Sequence, residues 1–411
     1  MATPEKQFTL AGGLKRRRLA QVLIAAMLWS NLLLFFHFRE GISRGYPDFT
    51  VFYTAAKMLR QGLSHQLYNS QLQWKVQQTF AGNIPFRSGP LPYIHPPFEA
   101  LIFLPLTWLS YPRAFVAWDL FNILILFGVA RLLRRSVETL RIIPEWKLAI
   151  GSIAFFPVFA CLFEGQDSIL MLLCCALGFY ALKRNADVLS GCWLALAAFK
   201  FQFMIPIVLL FVIWKRRRVV IGFLAVATVL ALISLALVGV RSFFQYPAYV
   251  LRIANSLPLS GVPADLLPNL HGLVMGWHGP LSGTLGKAIA ALGTIALFVL
   301  AAWRGWTFRH PGRLELQFSL AVVTAVLVAW QTNTHDLSLL VLPLALDADY
   351  RLRNLDEEAS ARYPLPNAVL PLLISPVWIV IWFVLYKVNL MAIPLLWWTW
   401  TMGREPVGDG R

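Results

Sequence analysis

Residues 46–68 read YPDFTVFYTAAKMLRQGLSHQLY and form the first polar stretch after the first long apolar run of the chain. Its apolar residues recur at helical spacing: Phe49, Phe52, Tyr53, Ala56 and Leu59. This pattern predicts a short helix that ends at Gly62 and lies in the membrane interface rather than crossing the bilayer. Asp48 directly precedes this helix, so it either caps the helix or is available for chemistry at the membrane surface. The two roles are compatible.

The composition predicts a polytopic membrane protein. Hydrophobic residues make up 58% of the chain and charged residues only 14%, and several apolar runs approach the length of a bilayer. The net charge of +16 comes mainly from Lys and Arg between apolar segments, where it sets orientation, and we expect no nucleic-acid partner. The four cysteines all lie within apolar runs, so neither a disulfide framework nor a metal site is expected from them.

Charge also predicts the orientation of the chain. Residues Lys15–Arg18 place the N-terminal segment 1–18 in the cytoplasm by the positive-inside rule. The run Leu19–Phe38 lacks a small-residue cleavage site and is expected to be retained as the first helix. A single transmembrane domain, 19–403, then carries a first external loop at 39–97 and a second large one at 241–280, before a cytoplasmic tail at 404–411.

About twelve crossings are expected, with an all-α fold. Phe98–Leu109 is too short and contains Pro105, so we expect it to be re-entrant or to lie on the membrane surface. Leu189–Trp214 satisfies the charge rule only as two short arms with Lys200 at their outer turn. The other expected crossings are Pro112–Leu133, Leu148–Phe163, Ser168–Leu182, Val219–Val240, Leu281–Trp303, Leu314–Trp330, Leu337–Leu346, Ala368–Tyr386 and Asn389–Thr401.

This topology places most candidate site residues on the external face. Lys200 has no acidic neighbour in sequence, so an anionic phosphate is its expected partner; alternatively it snorkels to the headgroups and only anchors the helix. His335 and Asp336 follow a polar turn between two apolar runs, where His335 is either a ligand or a structural residue and Asp336 is also a possible helix cap.

Three further candidates have simpler structural explanations. Gln166 and Asp167 lie between two crossings, and a tight turn accounts for them nearly as well as a site does. His95 precedes two prolines that fix an extended backbone, so a structural role is favoured there and a site contact is optional.

Several motifs in this order resemble glycosyltransferase family 87, a branch of the GT-C membrane glycosyltransferases. They are Asp48-Phe49 with Phe52-Tyr53-x-Ala55-Ala56, Gly62 and Leu67-Tyr68; His95–Phe98 with Pro105; Gly165-Gln166; Lys200; and the turn at His335. The resemblance covers roughly the first two-thirds of the chain plus that turn.

The resemblance implies a GT-C-type helical bundle and an enzyme that uses a polyprenyl-phosphate sugar, typically mannose, and a glycan or glycolipid acceptor. It implies that Asp48 is the general base of an inverting transfer, with Lys200 and His335 at the donor phosphate. The remaining site candidates are Tyr53, His95, Gln166, Asp167 and Asp336. Asp48 has no adjacent acid, so no metal is expected, and no cofactor. The expected location is the inner membrane, with the site facing the periplasm or another extracytoplasmic space.

Two other classes of function remain open at this point. A transporter or lipid-linked-sugar flippase would also contain broken helices and a buried lysine, but it usually shows internal repeats, and none is visible here. A noncatalytic scaffold of a cell-envelope complex would tolerate replacement of Asp48.

Overall fold

A computed structural model of the protein describes residues 4–81, 90–255, 262–277, 283–308, 312–354 and 370–402. These residues form helices and no strand, which confirms the all-α prediction. The α-helices, numbered α1 to α18 in chain order, are Pro4–Ser43, Phe49–Arg60, Ser70–Gln78, Ala100–Phe103, Tyr111–Ser136, Glu145–Ala154, Phe156–Glu164, Ser168–Lys183, Asp187–Leu196, Phe201–Ile213, Arg217–Asn255, Leu270–Met275, Thr284–Thr307, Leu314–Val328, Val341–Asn354, Leu370–Leu373, Ser375–Ile379 and Ala392–Thr401. Short 3-10 turns at Pro97–Glu99, Leu104–Trp108, Ala198–Lys200 and Thr334–Leu340 connect several of them.

Within the described residues, four helical segments are long and apolar enough to cross a membrane, or up to six if each of two bent pairs is one span. The four are Gln21–Ser43, Tyr111–Ser136, Arg217–Ile253 and Thr284–Thr307. Only 6% of the most apolar window of the first is buried within the protein. Such a surface is stable in lipid and not in water, so the protein is a membrane protein.

The two bent pairs differ in how well the sequence anticipates them. Asp187–Leu196 and Ala198–Ile213 meet at 66°, in agreement with the expected pair of arms at Lys200. The bend within the expected crossing Leu148–Phe163 was not anticipated: Glu145–Ala154 and Phe156–Glu164 meet at 79°. Pro157 explains this bend: it has no N–H with which to continue α6, and it lies in the first turn of α7, directly after the break at Phe155 (ψ 117°).

Helix α2 lies inside the protein rather than on its surface. Thr50 and Thr54, on the side of the helix away from its apolar residues, are fully buried. Thr50 Oγ1 donates to Gly45 O and contacts Tyr111 Oη, while Thr54 Oγ1 donates to Thr50 O. Both sides of the helix at these positions therefore pack against protein, and its place in the membrane interface stays a prediction. The expected helix end is correct, since Gly62 adopts a positive φ of 73° directly after it.

Other helices are shorter than the expected crossings. The helix α8 has 16 residues and α14 has 15, below the roughly 20 residues that span a bilayer, and α15 begins only after the 3-10 turn Thr334–Leu340. The count of about twelve crossings therefore stays a prediction. The expected tail 404–411, and residues 82–89, 256–261 and 278–280 of the two expected external loops, lie outside the described residues.

The polar contacts concentrate at two ends of the bundle. At one end, the Glu315 carboxylate receives Lys183 Nζ at 2.9 Å and Arg353 Nη2 at 3.3 Å. At the other end, the start of α2, the start of α8 and the turn before α15 come together. The candidate site lies there.

Candidate active site

A cavity of about 330 Å³ opens at this second end of the bundle. Its lining residues come from the junction of α1 and α2, the loop before the turn Pro97–Glu99, the end of α7 and the turn after α14. Among them are Asp48, Val51, His95, Glu164, Gln166, Trp330 and Asn333. A smaller pocket of about 40 Å³ shares His95, Gln166 and Trp330 with it and adds Lys200, His335 and Asp336. The two spaces therefore adjoin.

Asp48 is one of two half-buried carboxylates in the wall of the larger cavity, the other being Glu164. It occupies the position before α2, but its side chain makes no capping hydrogen bond to that helix. Instead, Asp48 Oδ2 accepts a hydrogen bond from Gln166 Nε2 at 2.8 Å. The local structure thus turns this carboxylate away from the helix end and toward the cavity, and the capping explanation does not apply.

Gln166 follows the left-handed residue that ends α7. Gly165 has a φ of 61°, and a Cβ there would lie 2.7 Å from Phe49 Cβ, so only glycine fits without displacement. The Gln166 carbonyl accepts hydrogen bonds from Trp118 Nε1 at 3.2 Å and Asn122 Nδ2 at 3.3 Å. The backbone of Gln166 is therefore fixed, and its side chain bridges Asp48 to Lys200, whose Nζ donates to Gln166 Oε1 at 3.3 Å.

Lys200 is not the unpaired lysine that the sequence suggests. Its Nζ lies 2.6 Å from Asp336 Oδ1 and 3.1 Å from Asp167 Oδ1, although these acids are distant in sequence. The residue is only 2% exposed, so the snorkelling alternative is wrong as well. Two carboxylates around one ammonium provide the pairing that a buried charge requires.

The turn at Thr334–Leu340 fixes Asp336 and His335. Asp336 Oδ2 accepts from Asn333 N at 2.8 Å, as a helix-capping acid does, while Oδ1 accepts from Ser168 Oγ at 2.9 Å in addition to Lys200. His335 Nδ1 lies 2.5 Å from Glu164 Oε2, and its Nε2 lies 3.6 Å from Asp336 Oδ1. Asp336 therefore caps this turn as expected, and its role in the site stays a prediction.

His95 contributes a neutral imidazole to both pockets. Burial, together with the Lys200 charge, lowers the pKa of His95 to about 4 despite the opposing effect of nearby carboxylates. Its Nδ1 lies 2.9 Å from Glu99 Oε1, and Glu99 is itself fully buried.

Two acidic residues of the site were missed from the sequence. Glu164 lies at the end of α7 and contacts His335, and Glu99 lies in the proline-rich turn beside His95 and Asp167. An acid directly before Gly165 at the end of an apolar run was the available signal for Glu164. Glu99, in an otherwise apolar segment, was the corresponding signal for the second acid.

Tyr53 is the one candidate that the structure separates from the others. Its hydroxyl donates to Leu109 O at 2.8 Å, and its ring packs against Phe49, Phe80 and Tyr111. It is absent from the described linings of both pockets.

Two groups of side chains bring carboxylates and imidazoles close enough for a metal ion to be considered. The ligand atoms of Asp48, Glu164 and His335 all lie within 4.8 Å of one another, as do those of His95, Glu99 and Asp167. In the first group, however, His335 Nδ1 already bonds Glu164 and Asp48 already accepts from Gln166. The side chains of this first group are thus already hydrogen-bonded within the described part of the chain.

Residues 93–331 match the family model for glycosyltransferase family 87, which covers more than half of the chain. The matched region includes His95, Glu164, Gln166, Asp167 and Lys200 of the site. No curated protein and no solved structure is significantly similar to the chain. The family match agrees with the resemblance carried by the sequence motifs, and the protein belongs to glycosyltransferase family 87.

Proposed function

We propose that the protein transfers a monosaccharide from a polyprenyl-phosphate donor to a glycan or glycolipid acceptor of the cell envelope. Mannose is the sugar that the family resemblance implies. The observation that carries this proposal is the Asp48 carboxylate, which lines the larger cavity and receives a hydrogen bond from Gln166 on Oδ2. Among the described residues nothing is bonded to Oδ1, which is therefore able to accept a proton.

The chemistry is a direct displacement at the anomeric carbon. Asp48 removes the proton from an acceptor hydroxyl as its oxygen forms the new bond to the sugar. The bond between the anomeric carbon and the phosphate oxygen breaks on the opposite face, and polyprenyl phosphate leaves with the electron pair. One displacement inverts the anomeric configuration. No metal or other cofactor takes part in these steps.

The smaller pocket is the proposed location of the leaving phosphate. His335 lines it, and Nδ1 donates to Glu164. Against the opposing effect of burial, the charges of Asp336 and Glu164 raise the pKa of His335 and favour its imidazolium form, in which Nε2 also carries a proton and donates to a phosphate oxygen. Lys200 lines the same pocket, but its Nζ is already in contact with two carboxylates and one amide. We therefore assign the direct phosphate contact to His335.

The sugar itself has polar and aromatic groups to contact in the larger cavity. Neutral His95, Gln331 and Asn333 line this space and offer hydrogen bonds to sugar hydroxyls without adding charge. Trp330 lines both pockets and is 37% exposed, so its ring offers a surface against which a sugar can pack.

The proposed setting is the inner membrane, with the site on its external face. The single domain 19–403, its two external loops and about twelve crossings are retained as parts of this proposal. The basic residues at the end of the bundle opposite Asp48 support the orientation. The donor lipid would reach the cavity from the bilayer, which requires no soluble nucleotide-sugar domain.

The first test replaces the proposed base. Asp48→Asn keeps the size of the side chain but removes proton affinity, so we expect sugar transfer to fall by about 100- to 10,000-fold. The measurement uses purified protein, a panel of radiolabelled polyprenyl-phosphate sugars and a membrane extract as acceptor. Asp187→Asn, at the first turn of α9, is the matched control and should retain wild-type transfer.

Folding is checked in the same samples by thermal unfolding and size-exclusion chromatography. Equal transfer rates in wild type and Asp48→Asn would reject Asp48 as the base. An active wild type that accepts none of the polyprenyl-phosphate sugars would instead reject the donor class.

A further inference from the structure

We propose that Lys200 is a positioning residue that controls Asp48 through Gln166, rather than a ligand of the donor phosphate. This proposal rests on the proposed role of Asp48 as the base. It assigns a function to the buried cluster Asp167–Lys200–Asp336, which lies behind the cavity and supplies no group to the described lining of the larger space.

Hydrogen-bond chemistry fixes the direction of this control. An amide side chain has one accepting end and one donating end, and only its partners reveal which is which. The ammonium of Lys200 donates and cannot accept, whereas an ionised Asp48 carboxylate accepts and cannot donate. Gln166 Oε1 must therefore face Lys200, and Nε2 must face Asp48. The corresponding distances are 3.3 Å to Lys200 Nζ and 2.8 Å to Asp48 Oδ2.

Both ends of this link are held in place. Lys200 is anchored by Asp336 at 2.6 Å and Asp167 at 3.1 Å, and Asp336 is itself held by Ser168 and Asn333. The backbone of Gln166 is held by Trp118 and Asn122. Little freedom remains for the Gln166 side chain, so its donating end stays on the carboxylate.

Removing either part of the link should weaken the ionised form of Asp48. The titratable groups that face Asp48 are Glu164 and His335, whose ligand atoms lie within 4.8 Å of it, and the variants leave both in place. A hydrogen bond to a carboxylate favours its charged form, so losing the Gln166 bond should move the acid limb of activity to higher pH. Without Lys200, the Gln166 amide is free to turn its oxygen toward Asp48. Asp48 then loses the hydrogen bond from Nε2, as it does in the absence of Gln166. Since a hydrogen bond to a charged group typically contributes enough to change an equilibrium about tenfold or more, the acid limb of activity should move up by about one pH unit.

The variants are Gln166→Leu, Lys200→Met and the double variant of both. Gln166→Leu leaves the ion cluster intact and should fold. Lys200→Met leaves two carboxylates without their ammonium partner, and this variant alone could fail to fold. In that case the test uses Lys200→Met together with Asp336→Asn, which removes one of the two carboxylates. Lys183→Met is the matched control. It also removes a lysine that is paired with an acid, Glu315, but at the far end of the bundle.

The first readout is the pH profile of kcat/KM together with donor KM, using a polyprenyl-phosphate sugar that the wild type accepts. We expect Gln166→Leu and Lys200→Met each to shift the acid limb upward by about one pH unit, and Lys200→Met to change donor KM less than about threefold. The double variant should show no further shift, because the two residues act in series. Lys183→Met should leave the profile in place.

The second readout does not depend on activity. Carbodiimide coupling labels protonated carboxyl groups, and mass spectrometry quantifies labelling of the peptide that contains Asp48 at each pH. Half-maximal labelling should move to higher pH in both single variants relative to wild type. This measurement tests the coupling even if no transfer is found, so failure of the proposed function and failure of this proposal are distinguishable.

Two outcomes would overturn the proposal. One is a large rise in donor KM in Lys200→Met with unchanged titration of Asp48, which would make Lys200 a phosphate ligand. The other is an additive shift in the double variant, which would mean that Lys200 acts on Asp48 without Gln166.

Discussion

His95 shows how burial decides the protonation of a single residue in this site. Burial outweighs the attraction of nearby carboxylates and keeps the imidazole neutral, with a pKa of about 4 against an ordinary value of 6.5. The unfolded chain takes up this proton as pH falls below 6.5, while the folded protein does not until about pH 4. Stability should therefore decrease as pH falls through this range, by up to about 3 kcal/mol. The charged groups facing His95 are Asp48, Glu99, Asp167, Lys200 and Asp336.

Thermal unfolding of the detergent-purified protein at pH 7 and pH 5 measures this dependence. His95→Gln keeps hydrogen-bonding capacity without the titrating group, so its melting temperature should fall less on acidification than that of wild type. The exposed His37, on α1, provides the control: His37→Gln should behave as wild type does. Equal pH dependence in wild type and His95→Gln would show that His95 does not titrate as inferred.

Lys200 shows what the sequence can and cannot reveal about a single residue. A lysine within an apolar block was correctly identified as unusual, because an isolated buried charge is costly. Its partners could not be identified, since Asp167 and Asp336 are separated from it by 33 and 136 positions in the chain. We expected a phosphate because no acidic residue lies near Lys200 in the sequence, but the fold itself supplies the carboxylates that neutralise this lysine. Local sequence therefore located the site but not its internal pairing.

At the scale of helices, α9 and α11 pack with their backbones in contact. A Cβ at Gly191 would lie 1.9 Å from Val219 O, and one at Gly222 would lie 2.0 Å from Val188 O. Small residues permit such close approach between membrane helices, where packing supplies much of the stability. The same contact positions the arm that leads to Lys200.

Gly191→Ala should therefore force the two helices apart and destabilise the protein by about 1–3 kcal/mol or more, since the obstructing atoms belong to the backbone. Thermal unfolding provides the measurement, and transfer should fall with it because Lys200 moves. Gly151→Ala is the matched control: a Cβ there meets nothing within 4 Å, so stability should be unchanged or slightly raised. Similar melting temperatures for the two variants would contradict the close-packing explanation.

The bends in helices were only partly readable from the sequence. The arms around Lys200 followed from the distribution of basic residues, whereas the bend at Phe155 was overlooked although Pro157 signals it. The contact between Gly191 and Val219 was not predictable in the same way, because it requires knowing which helices are neighbours. A bend caused by a residue within the helix can be predicted from the sequence, whereas a contact that depends on which helices are neighbours cannot.

For the whole molecule, the sequence was sufficient for class and family but not for the number of crossings. Apolar length identifies spans only where helices approach 20 residues, and α8 and α14 are shorter. The charge distribution is more informative, because basic side chains collect at the end of the bundle away from Asp48. Lys183 and Arg353 surround Glu315 there, and Arg216 Nη2 donates to Gln317 Oε1.

This asymmetry gives a topological prediction. By the positive-inside rule the Lys183 end should face the cytoplasm and the Asp48 end the outside. Arg44, exposed just before the site, and Arg184, at the end of α8, are suitable positions for single cysteines. A membrane-impermeant maleimide applied to intact cells should label Arg44→Cys and not Arg184→Cys, and both should react after the membrane is permeabilised. Labelling of the unsubstituted protein measures the background from its four native cysteines, three of which are buried. Labelling of Arg184→Cys alone in intact cells would reverse the orientation and place the candidate site on the cytosolic side.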